Sequence, residues 1–300
     1  MSTLFTHFFN KINTISPLEA KFTEGLASIA LMPKTLYFYG KIPENMVKTV
    51  AIVGSRHNTR YGEEIAYKLA YELGKRGVIV VSGLAFGIDS IGHRGCLDAG
   101  GTTVAVLGTP IDEIYPREHK GLAKEIIEQN GAVISEYAPG SKVYPKTSFL
   151  ERNRIISGLS DIVVVVEAAE RSGSLNTATH ALEQGKEVFA VPGNITSPYS
   201  QGCNKLIQQG ATPYTEPDDV LRLLFPEEYL KRRKKAKKQG LIGENDVETA
   251  ILASLGAGLR SGEEIMQLTK LPPEVFNQSI TMLEIRGRIR SLGMNNWGLC

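Results

Sequence analysis

Three short stretches of this chain combine glycine, hydroxyl and arginine residues in a pattern suited to holding an anion. The first is Gly54-Ser55-Arg56, followed by His57, Asn58, Thr59 and Arg60. The second runs from Ser82 and Gly83 through Phe86 and Gly87 to Asp89, and the third from Glu167 through Arg171, Ser172, Gly173 and Ser174 to Thr177. Glycine turns free backbone N–H groups, and these, with small hydroxyls and the first turn of a following helix, donate to phosphate oxygens. For any one loop, turn-making glycines are explanation enough. Three loops converging on one sheet edge, one of them holding Arg56, point instead to a phosphate-bearing ligand. A fourth stretch, Phe149 to Ile156, holds Arg152, Asn153 and Arg154 just ahead of a strand. Two apart on a helix, the two arginines diverge. Arg152 has Glu151 or Asp161 as an alternative partner, whereas Arg154 joins Arg56 in offering phosphate a planar donor fork. Asp89 is placed to cap the next helix, and His93, four residues on, reads as a packing or loop-fixing histidine.

Other chemistries lack their residues. No Gly-Lys pair is followed by Ser or Thr, so there is no ATPase phosphate loop, and no GxGxxG supports a dinucleotide cofactor. No GxSxG elbow accompanies a serine nucleophile. The five histidines are too scattered for a metal cluster, and Cys96, Cys203 and Cys300 are far apart with no CxxC. The reading therefore expects no catalytic residues, no metal and no cofactor. It expects a reducing, cytoplasmic setting and no membrane segment, since no apolar run approaches the ~20 residues of a spanning helix.

The elements that must position these loops follow from the apolar pattern. Runs beginning at Thr49, Val78, Thr103, Ala132, Ile162 and Glu187 are continuously apolar, as strands buried on both faces of a parallel sheet must be. Between them lie helical patterns, the clearest being Ile65, Ala66, Leu69, Ala70 and Leu73, with Gly74 and Gly77 at its end. Further helices fit Asp89–Ala99, 120–129, 176–184 and 203–209. Strands alternating with helices predict an α/β fold, a doubly wound parallel sheet of Rossmann-like type, with ligands beyond the carboxyl ends of its strands. Residues 1–40 read as a short extension packing on that core, 41–225 as the core itself, 226–244 as a basic linker and 245–300 as a smaller domain.

The linker holds KRRKKAKK at 231–238, seven basic residues in eight; the rest of the chain then has 27 Lys and Arg against 32 Asp and Glu. Such a run is a solvated linker or an anion-binding arm. Beyond it, Val247–Leu255, a Ser261-x-x-Glu264 capping box and Pro272-Pro273 open three helices, and Ile289 to Cys300 suits a hairpin. That is a winged-helix-like pattern. Its third helix carries Glu274 and Glu284 against Arg286, hardly a basic face.

The motifs VGSR at Val53, YG at Tyr61, SGLAFGID at Ser82, ERNRIISGLS at Glu151, VVEAAERSGSLNTA at Val165 and VFAVPG at Val188 resemble those of the DNA-processing protein A family (DprA/Smf). The resemblance covers about two thirds of the chain. It implies an extended Rossmann fold that binds single-stranded DNA without hydrolysing nucleotides, forms a homodimer and loads a RecA-type recombinase in natural transformation. The implied DNA-backbone site includes Ser55, Arg56, Gly83, Arg154, Ser172, Ser174 and Thr177; the DNA-binding set expected from these loops adds Gly54, Ser82, Gly87, Arg152, Asn153 and Gly173, with Asp89 and His93 as support. Phe86 and Phe149 are candidate stacking partners for a base. Two competing readings are a nucleotide phosphoribohydrolase-like enzyme and a winged-helix transcription regulator with a nucleotide-sensing domain. The first needs a glutamate where this chain has His180.

Overall fold

In the computed structural model, residues 11–43, 47–228 and 241–300 are described. The basic run and most of its flanks, 229–240, lie outside them. The chain forms two compact units, Met1–Leu224 and Phe225–Cys300.

The first unit is built on one nine-stranded sheet. Its strands are β1 (Asn13–Ile15), β2 (Leu36–Gly40), β3 (Thr49–Val53), β4 (Ile79–Ser82), β5 (Thr103–Val106), β6 (Ala132–Ser135), β7 (Ile162–Val165), β8 (Glu187–Ala190) and β9 (Thr212–Pro213). They lie in the order β1-β2-β6-β5-β4-β3-β7-β8-β9. From β6 to β9 every pairing is parallel, while β2 adds to β6, and β1 to β2, antiparallel. The six strands expected from apolar runs are all present. β2 falls inside the segment read as an extension: Leu36-Tyr37-Phe38-Tyr39-Gly40 continues the sheet past β6 instead of merely lying on the core.

Helices α1 (Arg60–Gly74), α2 (Ile88–Asp98), α3 (Lys120–Glu128), α4 (Pro145–Gly158), α5 (Gly173–Glu183), α6 (Gln201–Gln208) and α7 (Pro217–Leu224) complete the unit. Ile155, Ile156, Ala178, Ala181 and Cys203 from α4–α6 bury one sheet face against Ala51, Val81 and Val163. Leu97, Leu122 and Ile126 from α2 and α3 cover Ala105 and Val133 on the other. Burial on both faces is why the strands are continuously apolar. The winding reverses at β3, whose neighbours are β4 and β7. A crevice must open above the carboxyl ends of β3 and β7, because the connections leaving them run to opposite sides.

The second unit holds α8 (Asp246–Gly256), α9 (Gly262–Thr269), α10 (Pro273–Ile285) and a hairpin of β10 (Ile289–Gly293) and β11 (Asn296–Leu299). Ile251, Leu255, Ile265, Phe276, Ile280 and Leu283 form its core. Ser261 caps α9 by accepting from the Glu264 N–H. Met294 and Asn295, both at positive φ, make the hairpin turn. Three helices followed by a hairpin is the winged-helix arrangement the sequence predicted.

Candidate anion-binding cleft

A cleft of about 450 Å³ opens at that winding reversal. The β3–α1 loop supplies Gly54, Ser55, Arg56 and His57; α4 supplies Phe149, Arg152 and Asn153; the β7–α5 connection supplies Arg171 and Ser172, with Gly173, Ser174 and Thr177 from α5.

Each loop is held from below. Thr59 caps α1, accepting from the Gly62 N–H at 3.3 Å, while buried Glu167 accepts from the Thr59 N–H at 2.8 Å and its hydroxyl at 2.6 Å. Ser55 Oγ accepts from the His57 N–H at 3.1 Å and turns the loop. Ser172 caps α5, accepting from the Ser174 N–H, with the two hydroxyls 2.8 Å apart. In the β4–α2 loop, Gly87 has φ 75° and is itself the residue before the helix. Asp89 therefore does not cap α2 as expected. It sits in the first turn, and its carboxylate accepts from the Gly83 N–H at 3.0 Å, closing the loop on itself. Gly83 is required because a Cβ there would lie 2.5–2.6 Å from the Arg152 guanidinium.

The arginines divide sharply. Arg56 is exposed, its guanidinium 5.5 Å from the centre of the Phe149 ring, and it pairs with no carboxylate among the described residues. Arg171 is likewise exposed at the rim. Arg152 lines the floor but is buried: its Nη1 donates to the carbonyls of Gly83 and Val106, and its Nε to the Asn153 side chain at 3.2 Å. Burial lowers its pKa to about 10, with nearby Asp89 working the other way, so it remains a cation at neutral pH. Burial likewise raises the Asp89 pKa, against the pull of Arg152. Arg152 bonds to neither Glu151 nor Asp161, the partners considered for it; Asp161 instead accepts from the Thr49 N–H at 2.9 Å.

Arg154 departs most from expectation. It does not line the cleft. Its two terminal nitrogens donate to both oxygens of Glu136 at 2.9 and 2.7 Å, and the pair is only 10% and 14% exposed. Its two terminal nitrogens are thus engaged by a carboxylate away from the cleft, not set beside Arg56 as expected. Ser82 also departs: fully buried, it donates to the Ile52 carbonyl at 2.6 Å. Gly83 borders a smaller side crevice, and Gly87 packs against the Ser55 carbonyl, so both shape the loops from behind. His93 is buried, with Nδ1 2.6 Å from Thr103 Oγ1. That hydroxyl donates to the Val80 carbonyl, which leaves the proton of the neutral ring on Nδ1 and Nε2 without a partner. Burial, with His119 and Arg152 nearby, lowers the His93 pKa to about 3.

Among the cleft residues that the sequence reading did not assign to the site are Arg171, Leu150 and Tyr199. Arg171 was signalled by its loop but overshadowed by the hydroxyls around it. Leu150 and Tyr199 carried no signal; Tyr199 arrives from the β8–α6 connection, where its carbonyl accepts from the Ala168 N–H at 2.8 Å. His180 is not among the lining residues and lies 3.3 Å from Glu183. Among the described residues no group of His, Cys, Asp and Glu side chains could hold a metal ion, and no helix is long and apolar enough to cross a membrane.

Comparison with known proteins agrees with this architecture. Residues 13–225 match the family model described as DNA recombination-mediator protein A, and residues 235–293 match the DprA winged helix domain. Protein Smf of Escherichia coli is 47% identical over 192 residues, 64% of this chain but only 51% of the relative, so the match spans about half that protein's length. The X-ray structure of DNA processing protein A from Streptococcus pneumoniae superposes with a TM-score of 0.65 at 40% identity, covering 72% of this chain and 75% of that one. A structure of the Helicobacter pylori protein, described for its single-stranded DNA binding mode, gives 0.64 at 31% identity, covering 74% and 98%.

Proposed function

The chain belongs to the DNA recombination-mediator protein A family, and from that premise we propose that its α/β unit binds single-stranded DNA through the backbone, in the cleft between the β3 and β7 loops. One observation carries the reading: at the winding reversal stands an exposed arginine, Arg56, set over an aromatic ring and facing no described carboxylate. A guanidinium left free in a cleft of hydroxyls and glycine N–H groups fits phosphate. The Phe149 ring beside it fits a base. Nothing in the cleft resembles a groove-reading element, so the strand is held without regard to sequence.

The function is that of a recombination mediator in DNA-mediated transformation, one that shields an incoming strand and passes it to a recombinase. A RecA-type recombinase and a second copy of the chain complete the proposed assembly; both accompany the family resemblance. The proposal contains no catalytic step. His180, where a phosphoribohydrolase would need its glutamate, lies off the cleft. A duplex-reading regulator is disfavoured by α10, whose neighbouring Arg286 is held by Glu244 at 2.8 Å and Glu248 at 2.9 Å.

Labelled oligo-dT, challenged with duplex DNA and with free nucleotides, tests the reading. Oligo-dT should be displaced only by other single strands. Its affinity should fall with salt at a log–log slope of roughly −0.7 per phosphate neutralised. Preferential binding of one duplex sequence would favour the regulator.

A further inference from the structure

Beside the cleft lies a crevice of about 20 Å³ that shares Arg56, Phe149 and Arg152 with it and adds Phe86 and Tyr115. The two added rings are 43% and 48% exposed, so both present aromatic surface to solvent beside the cleft. Tyr115 stands 5.4 Å from Phe149, its ring tilted by 45°, so the aromatic surface of the cleft continues onto it. Phe86 packs edge-on against His119 at 4.8 Å.

Neither ring sits on a slack loop. Ile111 and Ile114 beside Tyr115 are buried, and Thr109 Oγ1 donates to the Glu113 carbonyl at 2.6 Å. His119 Nδ1 lies 2.7 Å from the Leu84 carbonyl, tying the Tyr115 segment to the Phe86 loop. The rings are held in place before any ligand arrives.

We propose that Tyr115 and Phe86 form a stacking shelf for the bases next to the nucleotide held over Phe149. The inference rests on the single-stranded DNA reading of the cleft and adds a direction to it. Bases stack on aromatic rings without regard to sequence, so the shelf lengthens the binding site without making it selective.

Fluorescence anisotropy with the full chain and an oligo-dT length series separates the possibilities. The wild type should gain affinity with length and then level off. Phe86→Ala and Tyr115→Ala should bind the shortest retained oligomers as the wild type does, yet lose ~5-fold or more of the gain on lengthening. Phe86→Leu and Tyr115→Leu, which fill space without a flat ring, should lose it too, whereas Phe86→Tyr and Tyr115→Phe should keep it. Thermal melts should be unchanged for the Phe86 variants. The same length dependence in wild type and alanine variants would overturn the shelf while leaving the cleft reading intact. Retention by the leucine variants would overturn stacking. Failure of the wild type to bind any oligo-dT would remove both the cleft reading and the shelf that rests on it.

Discussion

The rim of the cleft and the layer beneath it use the same residue types to opposite ends. At the rim, Arg56 and Arg171 are exposed and Ser172 turns its hydroxyl toward Ser174 at a helix start. Beneath, Arg152 is spent on two carbonyls, Arg154 on Glu136, and Asp89 on the Gly83 N–H. A buried cation must be satisfied by the protein, because leaving it unpaired costs several kcal/mol. An exposed one can wait for a ligand at little cost. Residue identity thus says less about DNA contact than whether the donor is already taken. The rim should govern binding, and the layer beneath it should govern folding.

The sharpest separation is at Arg152. Arg152→Ala leaves two buried carbonyls and Asp89 without their cation, and should lower unfolding free energy by about 3–5 kcal/mol in urea titrations. That is a large share of the ~5–15 kcal/mol a domain has. A stable Arg152→Ala protein with weakened oligo-dT binding would move Arg152 to the rim class.

Acid offers a second probe of the lower layer. His93 titrates near 6.5 when unfolded but only at about 3 when folded. The unfolded chain therefore takes up the proton first, and stability present above pH 6.5 is lost as pH falls toward 3, at ~1.4 kcal/mol per pH unit for one proton. Asp89, whose folded pKa is raised, acts in the opposite sense at the acid end. His93→Phe should flatten the slope between pH 6.5 and 5; an unchanged slope would mean that another group sets it.

Arg154→Ala should cost about 2–3 kcal/mol of stability by stranding Glu136, and Glu136→Gln somewhat less. Both should bind oligo-dT normally at temperatures where they stay folded. A folded Arg154→Ala protein that binds poorly would restore the residue to the DNA site.

Most of the framework was legible in the sequence. Continuous apolar runs located six strands, and glycine with hydroxyls marked the loops at their ends. The failures share a cause. Nothing in ERNRIISGLS tells Arg152 from Arg154; only the meeting of α4 with Glu136 after β6 and with the β4–α2 loop assigns them. β2 was overlooked because an antiparallel strand added to the sheet is defined by its pairing with distant β6, although Leu36–Gly40 is rich in strand-forming aromatics. Asp89 was read as a cap because sequence shows a carboxylate near a helix start, not which N–H it reaches.

The smallest effect expected concerns the second unit. There Arg286 braces Glu244 and Glu248, much as Arg154 holds Glu136. Truncation after Phe225 should leave a folded protein whose oligo-dT affinity changes by about threefold at most. Complete loss would place the main contact surface in the basic run or the C-terminal unit.

The most direct test of the account is Arg56→Ala, measured by fluorescence anisotropy on oligo-dT beside a thermal melt. Removing one charge-assisted, bidentate donor should cost about 1.5–3 kcal/mol, or ~10- to 150-fold in affinity, with the melting temperature unchanged and Arg56→Lys recovering only part. Wild-type affinity in a folded Arg56→Ala protein would contradict it.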